Sequence, residues 1–114
     1  MKKTISLKEN RLFRALYARG KSAARKTMAV YALKNRQKTV NHLGITVSVK
    51  LGGAVQRNRI RRRLKETYRF NEAHLKGGYD IVIVARHAAL EAPFETLLRD
   101  FTQLLRELGL NAEP

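Results

Sequence analysis

Apolar positions change period along this chain, and each change marks an element. Leu12, Phe13, Leu16 and Tyr17 recur at helical spacing and predict a first helix. Ser6 and Glu9 precede it in the order of a capping box, and Gly20 follows as its expected closing residue. Residues 1–5 read as a short frayed lead and 21–27 as a basic connector. Met28–Lys34 is apolar and rich in β-formers, which predicts a strand, and Asn35–Asn41 is a polar turn. Leu43, Ile45, Val47 and Val49 alternate with Thr46 and Ser48 as a second strand, ended by Gly52 and Gly53. Ile60, Leu64 and Tyr68 then recur every four residues, a helix closing near 69–73. Tyr79–Ala85 is β-branched and apolar on both faces, as a central strand is. Pro93 stands at the first turn of a last helix, in which Phe94, Leu97, Leu98, Phe101, Leu104, Leu105 and Leu108 form the apolar stripe before Gly109.

The predicted order is α, β, β, α, β, α, with the lead or the 21–27 connector able to add a strand. No repeat, low-complexity run or long linker divides the chain. At 114 residues it has the length of one domain spanning 1–114. No apolar run approaches the roughly 18 residues of a membrane span, and no membrane partner is expected. The opening lysines lack a following apolar stretch, so the expected location is the cytoplasm. The absence of cysteine excludes a disulfide framework and a thiolate nucleophile or ligand.

Charge changes the picture. Lys and Arg number 24 against 9 Asp and Glu, a net charge of +15. Self-repulsion of that size points to a polyanionic partner, and nucleic acid is the usual one. The charge is densest in the helix carrying Ile60, Leu64 and Tyr68, where seven of the thirteen residues 57–69 are basic. At about 100° per residue the apolar row forms a docking stripe. Arg57, Arg61 and Lys65 form a row beside it, and Asn58, Arg62 and Arg69 continue that flank. Arg59 and Arg63 fall on the far side. The alternative is a merely solvated face. Three features favour phosphate binding over it: the scarcity of opposing acids, the dominance of arginine with its bidentate geometry, and Gly52-Gly53, which offers backbone N–H groups just before the helix.

The stretch GITVSVKLGGAVQRNRIRRRLKETYR resembles the signature of the bacterial ribonuclease P protein component family. Gly52, Ala54, Val55, Arg57, Asn58, Arg59, Arg61 and Arg62 match its Arg-Asn-Arg helix. Phe13, Tyr17, Gly20, Ser22, Tyr31 and the strand 80–86 match elsewhere. Val49, Gly53 and Arg63 depart from it; a lysine, an asparagine and an apolar residue are usual there, and Arg63 is expected on the exposed side.

The resemblance implies an α+β fold: a two-layer α/β sandwich with about four strands, three helices and a left-handed β-α-β crossover. It implies a protein subunit that assists 5′-leader removal from precursor tRNA, with an RNA subunit as the catalyst using Mg2+ and no protein partner required. By position it assigns Lys50, Arg57, Asn58, Arg59, Arg61, Arg62 and Lys65 to the catalytic RNA, and Phe13, Tyr17 and Tyr31 to the leader. Aromatic platforms in a positive groove are a common way to hold single-stranded RNA; burial in the core is the alternative for the same three rings. His42, His74 and His87 show no ligand spacing and read as surface or edge residues, and Asp80 reads as a local hydrogen-bonding group. The scattered acids suggest no nuclease centre, which disfavours a protein-only nuclease. A ribosomal or general RNA-binding structural protein accounts for the charge equally well, but not for the combined arginine helix and aromatic set. A DNA-binding helix lacks its helix-turn-helix partner.

Overall fold

The computed structural model describes residues 3–37 and 39–111. Its elements are β1 (Lys3–Ser6), α1 (Asn10–Arg19), β2 (Lys21–Ala24), β3 (Met28–Lys34), β4 (Val40–Thr46), α2 (Ala54–Asn71), β5 (Tyr79–Ala85) and α3 (Phe94–Glu107). The strands form one sheet in the order β1-β4-β5-β3-β2. β1 runs parallel to β4 and β4 to β5, while β3 is antiparallel to both β5 and β2. β5 is central, as its two-faced apolar pattern predicts. The segment β4–α2–β5 is the parallel crossover, and it carries the basic helix.

The α+β class stands, with two corrections. The sheet has five strands, because the lead and the connector each contribute one; Met1 and Lys2 of the lead lie outside the described residues. The sandwich has three layers rather than two. Ile81, Ile83 and Ala85 face one side with Met28, Val30 and Ala32, under α2 and α3. Val82 faces the other side with Leu7 and Leu16, under α1, and Tyr31, Leu33 and Val84 pack there half-buried. Strand residues alternate between faces, so a strand apolar on both faces needs a helix on each.

Local details depart from the sequence pattern where tertiary contacts compete. Ser6 caps no helix: it pairs with Leu43 in the parallel ladder, and the next amide, Leu7 N–H, donates to Leu43 C=O at 2.9 Å. α1 instead starts after Glu9, which makes no side-chain cap bond. Gly20 is extended at φ −72°, not left-handed. A Cβ there would fall 2.6 Å from the Leu16 carbonyl oxygen and 3.0 Å from that of Ala32, so close backbone approach is what demands glycine. Gly109 does take the left-handed form at φ 71°. Its N–H reaches the Arg106 carbonyl at 3.1 Å, and Leu110 N–H reaches that of Leu105 at 2.9 Å, closing α3 as a Schellman motif. Pro93 sits just ahead of α3 as its cap rather than inside its first turn.

β4 lies three residues earlier than the alternation suggested. Val47 still packs into the core, but the chain then leaves the sheet, and Ser48 accepts the Lys50 N–H in a short 3-10 turn, Val49–Leu51. Val49 is consequently 72% exposed, not aligned with Leu43 and Ile45.

Candidate nucleic-acid interface

α2 docks by the stripe its spacing predicts. Ile60, Leu64 and Tyr68 are at most 3% exposed and pack on Leu97, Phe101, Leu104 and Leu105 of α3 and on the sheet. Each such side chain stabilises the fold by roughly 1.5–3 kcal/mol. The stripe is wider than the apolar residues alone, because Thr67 and Asn71 are buried too. The Thr67 hydroxyl donates to the Leu64 carbonyl at 2.7 Å, and the Asn71 amide donates to the Thr67 carbonyl at 3.1 Å and to Thr102 Oγ1 at 3.2 Å.

That docking holds the basic row in place. Asn58, Arg59, Arg62 and Lys65 are exposed, and Arg57 and Arg61 are half-buried along the edge of the stripe. Arg61 donates to Asn58 Oδ1 at 2.9 Å, which orients the guanidinium along the helix. The buried Nε of Arg57 has no partner. Asn58, Arg61, Arg62 and Lys65 line one groove with Val55. Lys50 is exposed on the 3-10 turn leading into α2.

Two expectations about this helix fail. The Gly52-Gly53 amides are not free for phosphate. Gly53 N–H donates to Gln56 Oε1 at 3.2 Å, and Gly52 N–H to the Val49 carbonyl at 3.4 Å. Gly52 is needed for another reason: at φ 132° it turns the chain, and a Cβ would meet Gln56 Oε1 at 2.0 Å. Arg63 is not on the exposed side either. It is half-buried and donates to the Ala92 carbonyl, tying α2 to the turn before α3. Burial, with Arg59 alongside, lowers its pKa from the ordinary guanidinium value.

On the opposite face of the sheet, α1 and β3 bring the aromatic set together. The Tyr17 and Tyr31 ring centroids lie 4.9 Å apart at 88°. Tyr17 is 45% exposed and its hydroxyl sits 3.4 Å from Thr46 Oγ1 of β4; Tyr31 is half-buried. Phe13 packs differently. Its ring lies against Gly44, where a Cβ would come within 2.7 Å of Cζ. Phe13 belongs partly to the core, as the alternative reading allowed.

Phe13 also links the two faces. β1 ends at Ser6, which leaves β4 uncovered from Gly44 onward. A cleft of about 520 Å³ opens at that edge, lined by residues including Phe13, Gly44, Arg61, Lys65 and Arg69. Phe13 of the set assigned to the leader and Arg61 and Lys65 of the set assigned to the catalytic RNA thus share one groove, while Tyr17 and Tyr31 lie outside its lining. Sequence reasoning missed Gly44 and left Arg69 out of the working row. An isolated glycine within a strand pattern signals close approach, and Arg69 continues the i, i+4 row from Arg61 and Lys65.

His42 is also not a surface residue. It is half-buried on β4, with Nδ1 2.9 Å from Asp80 Oδ1, the same oxygen that accepts the Asn35 amide at 3.1 Å. Asp80 is thus a local hydrogen-bonding group. The described residues hold no group of three or more His, Asp or Glu side chains placed to bind a metal ion, and no described helix is long and apolar enough to cross a membrane.

Comparison with known proteins agrees with this arrangement. The family model described as Ribonuclease P matches residues 1–109. The ribonuclease P protein component of Symbiobacterium thermophilum is 40% identical over 110 residues, 96% of each chain. That of Clostridium botulinum is 37% identical over 109 residues, 95% of this chain and 97% of its own. The Staphylococcus aureus RNase P protein structure superposes with a TM-score of 0.84 at 30% identity, covering 93% of this chain and 96% of that one. The Thermotoga maritima protein gives 0.80 at 29%, covering 90% and 96%. With basic helix, aromatic pair and five-stranded sheet in one frame, the chain belongs to the ribonuclease P protein component family.

Proposed function

We propose that the chain binds the catalytic RNA of ribonuclease P through α2 and the 5′ leader of precursor tRNA through the aromatic side chains Phe13, Tyr17 and Tyr31, so that the RNA removes the leader in the cytoplasm. The observation that carries this reading is the separation of two chemistries on a rigid frame. Arg57, Asn58, Arg59, Arg61, Arg62 and Lys65 ride on a helix locked by Ile60, Leu64 and Tyr68, with Lys50 just ahead of it. The tyrosines lie across the sheet, Tyr17 on α1 and Tyr31 on β3. An arginine fork binds phosphate through two parallel hydrogen bonds. An exposed tyrosine propped by another offers a stacking face indifferent to base identity, as a leader of varied sequence requires.

In this reading the protein contributes binding and orientation, while the Mg2+ ions belong to the RNA. Neutralising phosphates near the cleavage point reduces the cation concentration needed to hold RNA and substrate together. The test is reconstitution with a bacterial ribonuclease P RNA at low Mg2+, following precursor-tRNA cleavage. Stimulation over RNA alone is expected. Lack of stimulation would refute the proposal, and cleavage by protein without RNA would replace it with a protein nuclease.

A further inference from the structure

Phe70 is 60% exposed on α2, on the flank turned away from Arg57, Arg61 and Lys65. Its ring rests on that of Phe94, the first residue of α3, with centroids 5.7 Å apart and planes at 55°. Phe94 is half-buried, so Phe70 is propped from the protein side while much of its ring stays in water. Beside this pair a shallow cleft of about 270 Å³ is lined by Arg59, Arg62, Arg63, Glu66 and Phe94. Arg62 also lines the groove containing Asn58, Arg61 and Lys65. Through Arg62 the basic surface therefore continues around the helix toward the aromatic pair, with Glu66 set among its arginines.

We propose that Phe70, backed by Phe94, is a stacking platform for an unpaired base of the bound RNA, with the adjoining phosphates on Arg59 and Arg62. This rests on the reading of α2 as the RNA-facing helix and extends it to a second side. Arg63 is engaged with the Ala92 carbonyl, which leaves Arg59 and Arg62 exposed for the strand. Glu66 is the acid in the lining, and three arginines outweigh it. The charge also selects against a second copy of this chain. A two-fold contact through Phe70 would set Arg59 and Arg62 against their own copies, in a molecule already carrying +15.

The chain contains no tryptophan, so Phe70→Trp in the full-length protein installs a single indole at the platform. Titration with a transcribed bacterial ribonuclease P RNA is expected to quench its emission about twofold or more, saturating with complex formation measured by filter binding. Phe70→Leu, which keeps an apolar contact to Phe94 but cannot stack, is expected to lose roughly tenfold in affinity. Its slope of log affinity against log salt should stay unchanged, because every phosphate contact is kept. Unchanged emission at saturation, or wild-type affinity of Phe70→Leu, overturns the platform. Emission that varies with protein concentration before RNA is added marks self-association and also overturns it. Arg61→Ala is the parallel control. If it weakens binding while Trp emission stays silent, only the platform falls. If it leaves both affinity and slope unchanged, the RNA-facing reading of α2 falls with it.

Discussion

Tyr17 and Tyr31 meet edge to face, 4.9 Å between centroids and 88° between planes, one on α1 and the other on the strand beneath it. Each fixes the other, and Tyr17 remains 45% exposed. Tyr17→Ala or Tyr31→Ala is expected to weaken holoenzyme binding of precursor tRNA by roughly tenfold, about the worth of one stacked base, and to leave mature tRNA unaffected. Tyr17→Phe should retain most of the affinity. Equal losses for both tRNA forms would place the pair in the fold rather than the cleft.

Gly44 makes room for Phe13. Its missing side chain would stand 2.7 Å from Cζ and 2.8 Å from Cε1 of that ring, with a Leu7 methyl at 3.3 Å. Gly44→Ala should therefore displace Phe13 and cost about 1–3 kcal/mol, the usual range for overpacking. Urea denaturation measures it. Combining Gly44→Ala with Phe13→Leu should cost less than the sum of the single changes; simple additivity would show that ring and glycine do not compete for the space.

Arg57→Ala and Arg61→Ala are each expected to lower the salt slope of RNA binding by about one unit for every phosphate that the guanidinium neutralises. Arg63 serves as the internal contrast, because it is bonded to the Ala92 carbonyl. Arg63→Met should reduce stability by about 1 kcal/mol and leave the salt slope near the wild-type value. An unchanged slope for Arg57→Ala and Arg61→Ala would show their guanidinium groups to be merely solvated.

Tyr68 couples the basic helix α2 to the edge strand. Thr4 Oγ1 donates to the Glu72 carboxylate, so the Tyr68 hydroxyl donates to Thr4, across 2.8 Å. Burial raises the phenol's pKa, with Glu72 adding to the rise and the Thr4 contact opposing it. A phenol whose folded pKa exceeds its unfolded value, about 10, stabilises the fold fully below that pH. The contribution is lost as pH climbs through the folded value. Tyr68→Phe should cost about 1 kcal/mol at neutral pH and lose less additional stability than wild type above about pH 10. Parallel stability profiles from pH 7 to 11 would contradict this.

Much of the frame was legible because local periodicity reports burial directly. The rows Ile60–Leu64–Tyr68 and Leu97–Phe101–Leu104 mark helix faces wherever the helices end up. The two-faced pattern of β5 announced a central strand, although only the assembled sheet revealed that its second face required α1 as a third layer. The arginine row was visible for the same reason, since helical spacing fixes which side chains share a flank.

What the sequence alone determined, then, is the order of the main helices and strands, the basic face of α2 and the likeness to a known family. Tertiary structure decided the contacts that depend on distant partners. β1 exists because β4 offers it a parallel edge, and that pairing takes Ser6 out of a cap that its local sequence favours. The Gly52 and Gly53 amides bond to Val49 and Gln56 rather than staying open, and Arg63 turns inward because the Ala92 carbonyl lies within its reach. The Tyr17–Tyr31 pair, the groove joining Phe13 to Arg61 and Lys65, and the propped Phe70 all bring together residues far apart in the chain. Hydrogen bonds and ring contacts of that kind follow from where the backbone folds, which local spacing does not encode.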